Sequence, residues 1–193
     1  MSGVPGRSEI EEGFRLASEA VRIAEDIGNP SIRVTAVVAV GIAEMGVGRF
    51  EDAVLTLQTA LSEARELKVA IFEEATLLTH LSRAHLGAGD GAAARAAADE
   101  AVAVAQRQGA RVSEALALLT RARVRRATGA PPGEVDADLA AALDLARVTG
   151  ATATRPRSKP NNNPEPVHAA RAEKTVNIVP VCVSSSGWRR LSG

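Results

Sequence analysis

Five groups of residues carry side chains at spacings that could do chemistry. His80 and His85 could ligate a metal, but five residues place them about 140° apart around a helix. They form no H-E-x-x-H, so both read as structural or surface histidines. Cys182 is the one cysteine of the chain, which excludes an internal disulfide framework and a multi-thiolate zinc site. No basic residue adjoins it and no C-x-x-C contains it, so it reads as a plain free thiol. Gly87, Gly89 and Gly91 invite a dinucleotide loop, yet the third glycine falls one place early for G-x-G-x-x-G. A turn between helices explains them, with Asp90 as the N-cap of the following helix. The carboxylates Glu51–Asp52, Glu73–Glu74 and Glu134, Asp136 and Asp138 lie in or near helix first turns, where negative charge is favoured. Without convergent partners they are not an acid–base pair. Arg121, Arg123, Arg125 and Arg126 form the densest charge cluster. It reads first as a solvated face near a helix C-terminus and second as an anion-binding patch. No aromatics interleave with these arginines, so base stacking is not on offer. No catalytic, cofactor-binding or metal-binding residue is expected.

The elements behind these residues are built from small side chains. The chain has 193 residues, 46% of them hydrophobic but only 2% aromatic, with no Tyr, one Trp and three Phe. Ala supplies 38 residues, so the core must be close-packed helices rather than an aromatic-filled sandwich. The 23 basic and 23 acidic residues cancel, which argues against a generally basic nucleic-acid binder. No secretory stretch opens the sequence and no run of about 18 apolar residues suggests a membrane span. The expectation is a soluble, cytoplasmic protein.

Self-similarity organises the first 150 residues. The segments 15–28, 56–68, 96–109 and 138–150 align on Ala20-Val21, Ala60-Leu61, Ala101-Val102 and Ala142-Leu143, at spacings of 40, 41 and 41 residues. Around each centre a ladder steps by four, three and four: Gly13, Ala17, Ala20, Ala24; Ala53, Leu57, Ala60, Ala64; Ala94, Ala98, Ala101, Ala105; Val135, Leu139, Ala142, Ala146. That spacing draws one stripe along one face of an α-helix. Gly28, Gly109 and Gly150 stand eight residues past the central Ala, where a helix end favours a left-handed Gly. The second copy has Lys68 there, a cation that suits the helix dipole.

Between the ladders lie second helices, at roughly 31–46, 71–87 and 112–128. Asn29 and Pro30 make a cap and first helical position for the first of them. The turns GVGRF (46–50), GAGDG (87–91) and GAPPG (129–133) are short enough to force antiparallel neighbours. Ser8 with Glu11 makes a capping box, so the first helix should begin near residue 9. The expectation is an all-α, right-handed solenoid of antiparallel helix hairpins, about seven helices in total.

Residues 41–61, GIAEMGVGRFEDAVLTLQTAL, resemble a tetratricopeptide (TPR) unit. Gly41 takes the small position of its first helix, Gly48 and Phe50 the turn, and Ala53, Ala60 and Leu61 the second helix. Residues 80–102 match through Ser82, Gly89, Ala94, Ala101 and Val102, with Gly91 where an aromatic is usual. The third unit matches through Ala122, Gly129, Ala142 and Leu143. The long period and the missing Trp and Tyr are similar to the degenerate repeats at the C-terminal end of bacterial adenylate-cyclase-like and LuxR-type signalling ATPases. No G-x-x-x-x-G-K-[ST] occurs, so that resemblance implies the repeat arm without the ATPase.

The pattern stops at TATRPRSKPNNNPEP. Pro160, Pro164 and Pro166 would be helix-interior, at about 3 kcal/mol each. Residues 152–193 hold five of the nine prolines and seven basic against two acidic residues, a charge of +5. The expected layout is a flexible start over 1–7, a TPR-like domain over 8–150 and a disordered basic tail over 151–193. Within the tail, 175–183 could pair as an edge strand, limited by Pro180.

The TPR resemblance implies that the inner helices line a concave binding face. Carried over position by position, it selects Thr35, Val38 and Ile42 in the first unit, Thr76, Thr79 and Arg83 in the second, and Arg123 in the third. The expected function is non-enzymatic binding of a peptide or protein segment, one carrying acidic residues. The alternative is a detached regulatory arm of a signalling ATPase, cyclase-like protein or transcriptional regulator. A nucleic-acid partner ranks below both, and no cofactor or membrane partner is expected. Uncapped solenoid ends could make a homo-oligomer.

Overall fold

The computed structural model describes residues 7–150. The expected tail, its edge strand and most of the expected flexible start lie outside the described residues. Seven helices follow in order: α1 (Arg7–Ile27), α2 (Pro30–Gly46), α3 (Phe50–Leu67), α4 (Glu74–Gly87), α5 (Gly91–Gln108), α6 (Arg111–Ala127) and α7 (Pro132–Val148). A 3₁₀ turn, Ile71–Glu73, leads into α4. The described residues contain no strand.

Local signals set most of the helix ends. Asn29 Oδ1 accepts from the backbone N–H of Ser31 (3.0 Å) and Ile32 (3.2 Å), and Pro30 takes the first helical position. Asp90 Oδ1 accepts from Ala93 N at 2.9 Å, as its N-cap role requires. Gly28 and Gly109 are left-handed, with φ of 70° and 64°, and close α1 and α5. Lys68 adopts the same conformation with φ of 54°, despite its Cβ. The Ser8–Glu11 capping box points to a start near residue 9, and α1 begins within two residues of it. α1 already includes Arg7, so Ser8 falls inside the first turn.

Consecutive helices pack as antiparallel neighbours from α1 through α7. In addition α2 touches α4 and α4 touches α6, so α2, α4 and α6 make a continuous inner row. The outer helices α3 and α5 are joined across that arrangement by Arg65, whose Nη2 lies 2.6 Å from Glu100 Oε1. The result is a right-handed solenoid of helix hairpins.

The ladder residues face inward. All eight on α3 and α5 are buried. On α1 only Ala17 and Ala24 are buried, while Gly13 and Ala20 are exposed, because among the described residues α1 packs mainly against α2. The two continuous stripes join Val34, Leu77, Leu78, Val104 and Leu118 in one core.

Candidate partner-binding site

The inner row presents the face on which sequence-selected residues could meet a partner. Thr35, on α2, is exposed, but its hydroxyl donates to the Glu73 carboxylate, with Oγ1 3.0 Å from Oε2. That bond ties α2 to the 3₁₀ turn. Ile42 is also exposed, at 41% of its surface. Val38 and Thr79 are buried, and the Thr79 hydroxyl donates to Ala75 O at 2.8 Å. Those two belong to the seam between hairpins, beneath the surface. Thr76 is half-buried between them and the open face.

Arg83 and Arg123 are exposed and occupy the same register on α4 and α6, forty residues apart. Neither has a hydrogen-bond or ion-pair partner among the described residues. Although Arg83 reaches the surface, desolvation lowers its pKa, and the nearby positive charge of Arg123 lowers it further. His80, one turn before Arg83, has its Nδ1 closed off from solvent without a hydrogen-bond partner. Burial first, and then the charge of Arg83, push its pKa down to about 4. The site therefore joins two unpaired cations to a histidine that is neutral at pH 7.

Arg121 and Arg125 go elsewhere, which corrects their reading as part of one solvated face, whereas Arg126 stays exposed. Arg121 grips Asp138 of α7 through two bonds, Nη2–Oδ1 at 2.6 Å and Nε–Oδ2 at 3.0 Å. Arg125 Nη1 lies 3.0 Å from the same Asp138, and Asp99 and Glu134 complete the network. Asp138 is only 3% exposed, so it is a buried acceptor and not a solvated first-turn charge. Its hydrogen bonds raise the pKa of Arg121. Residues two apart on a helix point about 200° apart. Arg121 and Arg125 thus enter the α6–α7 seam while Arg123 faces the inner row.

Two contributors escaped sequence selection. His80 carries no motif, and only its burial beside Arg83 marks it. Leu116, 36% exposed, stands one period beyond Thr76, so the repeat spacing did hold a signal for it. Among the described residues, no group of three or more His, Cys, Asp or Glu could hold a metal ion, and no helix is long and apolar enough to cross a membrane.

No protein-family model matches the chain, and no curated protein matches it. Solved structures do. BtubC (BKLC) from P. vanneervenii superposes with a TM-score of 0.60 at 18% identity, over 73% of this chain and 59% of that one. A putative kinesin light chain from Podospora anserina, with nearly identical TPR-like repeats, superposes with a TM-score of 0.58 at 17% identity. That alignment covers 75% of this chain and 70% of the other. The repeats are TPR-like. At these identities the likeness concerns the fold alone, and the chain spans about three-fifths of the length of BtubC.

Proposed function

We propose that this chain is a non-enzymatic TPR-like interaction module that binds a peptide or protein segment along the inner face of α2, α4 and α6. TPR-like folds typically serve as protein-interaction modules, which supports the class. The observation that carries the reading is the pair Arg83 and Arg123, left without partners in equivalent positions on adjacent inner helices. Like charges held side by side cost free energy, and an acidic segment would relieve that cost. Ile42 and Leu116 add exposed apolar surface on the flanking inner helices, and Thr76 a half-buried hydroxyl. Thr35, Val38 and Thr79 shape the groove through its seams more than through direct contact.

Work as a scaffold arm in a signalling regulator would use the same groove and depend on the same arginines. The test is affinity capture with the full chain, followed by affinity measurement for each protein retained. Arg83→Glu with Arg123→Glu should weaken the acidic partner by about tenfold, since each exposed charge pair lost is worth about 0.2–1 kcal/mol and reversing both charges adds repulsion. Unchanged affinity for every retained protein would refute the concave-face reading.

A further inference from the structure

Arg83 and Arg123 lie close enough that the positive charge of Arg123 acts on Arg83. They lie on helices that pack directly, one repeat apart, and neither has a partner among the described residues. Glu44 of α2 is buried, with Oε2 unpartnered among the described residues, and pairs with neither arginine, while the other carboxylates nearby are engaged elsewhere. Glu73 accepts from Thr35, Glu74 and Glu100 hold Arg65, Glu114 accepts from Gln106, and Asp99, Glu134 and Asp138 hold Arg121 and Arg125. His80 beside Arg83 is neutral at pH 7 and adds no further positive charge.

A single group that binds both arginines can be chosen by its charge and its acceptors. One carboxylate brings a single negative charge and two oxygens, so it neutralises one guanidinium and leaves the other uncompensated. A phosphate monoester carries about −1.5 to −2 at pH 7 and three acceptor oxygens. Its geometry also matches the planar fork of two N–H donors that each arginine presents. We propose that Arg83 and Arg123 together receive one phosphorylated serine or threonine side chain of the bound segment, its phosphoryl oxygens bridging the two guanidinium groups. This rests on the concave-face reading above and specifies its anchor.

The test reads the arginine Nε–Hε signals of the full chain by ¹⁵N-edited NMR at pH 7 and constant ionic strength. The probes are inorganic phosphate, N-acetyl-phosphoserine amide and N-acetyl-glutamate amide. Phosphate and the phosphoserine probe should give saturable shifts at Arg83 and Arg123, at least tenfold tighter than the glutamate probe. Arg95 and Arg126, also without partners, should not saturate. Arg83→Gln should remove the saturable response at Arg123 while the backbone spectrum keeps its dispersion. Equal affinity for the glutamate and phosphoserine probes would overturn the phosphoryl assignment and leave the acidic-segment reading standing. Shifts at Arg83 and Arg123 no different from those at Arg126 would also overturn it. The capture experiment would then decide the broader reading by itself.

Discussion

His80 shows how one side chain couples the site to stability. Its ordinary pKa of 6.5 falls to about 4 in the folded chain, because burial and Arg83 both oppose its charge. Between those two values the unfolded chain binds the proton more readily than the folded one, so stability must drop as pH falls from about 6.5 to 4. Above that window the group has no effect, and below it the loss levels off. The full loss is on the order of 3 kcal/mol. Urea denaturation at pH 7, 5.5 and 4.5 checks this, comparing the natural chain with His80→Gln. The variant should lose less stability on acidification; parallel curves would show that His80 charges freely in the folded state. Nothing in the local sequence around His80 announced this, since the effect needs the packing of α4. The left-handed positions behave oppositely. Gly28 and Gly109 stand where a backbone rule puts them, and that rule is local.

Helix pairs are set by how closely they approach. A Cβ on Gly41 would lie 2.7 Å from the Leu57 side chain, so the small TPR-like position is a steric requirement of the α2–α3 contact. Gly87, at the end of α4, is tighter still. A Cβ there would run into the Phe50 ring. One unit later the sizes reverse: Gly91 stands at the usual aromatic position, and Thr128 at the end of α6 comes within 2.8 Å of where its Cβ would be. The seam thus keeps its volume by swapping Phe50–Gly87 for Gly91–Thr128. Gly87→Ala should destabilise by about 1–2 kcal/mol, even though Ala is the better helix former. That is roughly 3–6 °C in Tm by circular dichroism. Phe50→Leu in the same chain should recover part of the loss. An unchanged Tm for Gly87→Ala alone would mean that the Phe50 ring moves aside freely. The missing aromatic at Gly91 was legible in the sequence, but its compensation by Thr128 was not, because those residues meet only after the hairpins stack.

At the scale of the whole solenoid, α1 leaves apolar surface open. Leu16, Ile23 and Ile27 are 50%, 46% and 58% exposed, along one stripe with Ala20. Among the described residues, α1 packs mainly against α2. Helical repeats bury such a face against the next unit, so an open one favours association. Sedimentation of the full chain over a concentration series should show reversible dimerisation, and Leu16→Glu with Ile23→Glu should shift it to monomer. A monomer for the natural chain at its highest soluble concentration would exclude association through this face. The inner row makes the opposite use of stacking. By placing equivalent positions of α4 and α6 side by side, it brings the charges of two separate arginines within reach of each other.

Periodicity, caps and turn glycines carried the helices and their stacking, because each depends on residues within a turn or two of one another. Asn29, Asp90 and the buried ladders of α3 and α5 all acted as their spacing implied. The division of the arginine cluster was of another kind. Whether Arg121 or Arg123 finds a carboxylate depends on which helix lies across the seam, and Asp138 comes within 2.6 Å of Arg121 only once α7 folds back on α6. Electrostatic satisfaction is a property of neighbours in space, so although the sequence selected Arg83 and Arg123, their lack of a partner among the described residues came into view only when the hairpins were stacked.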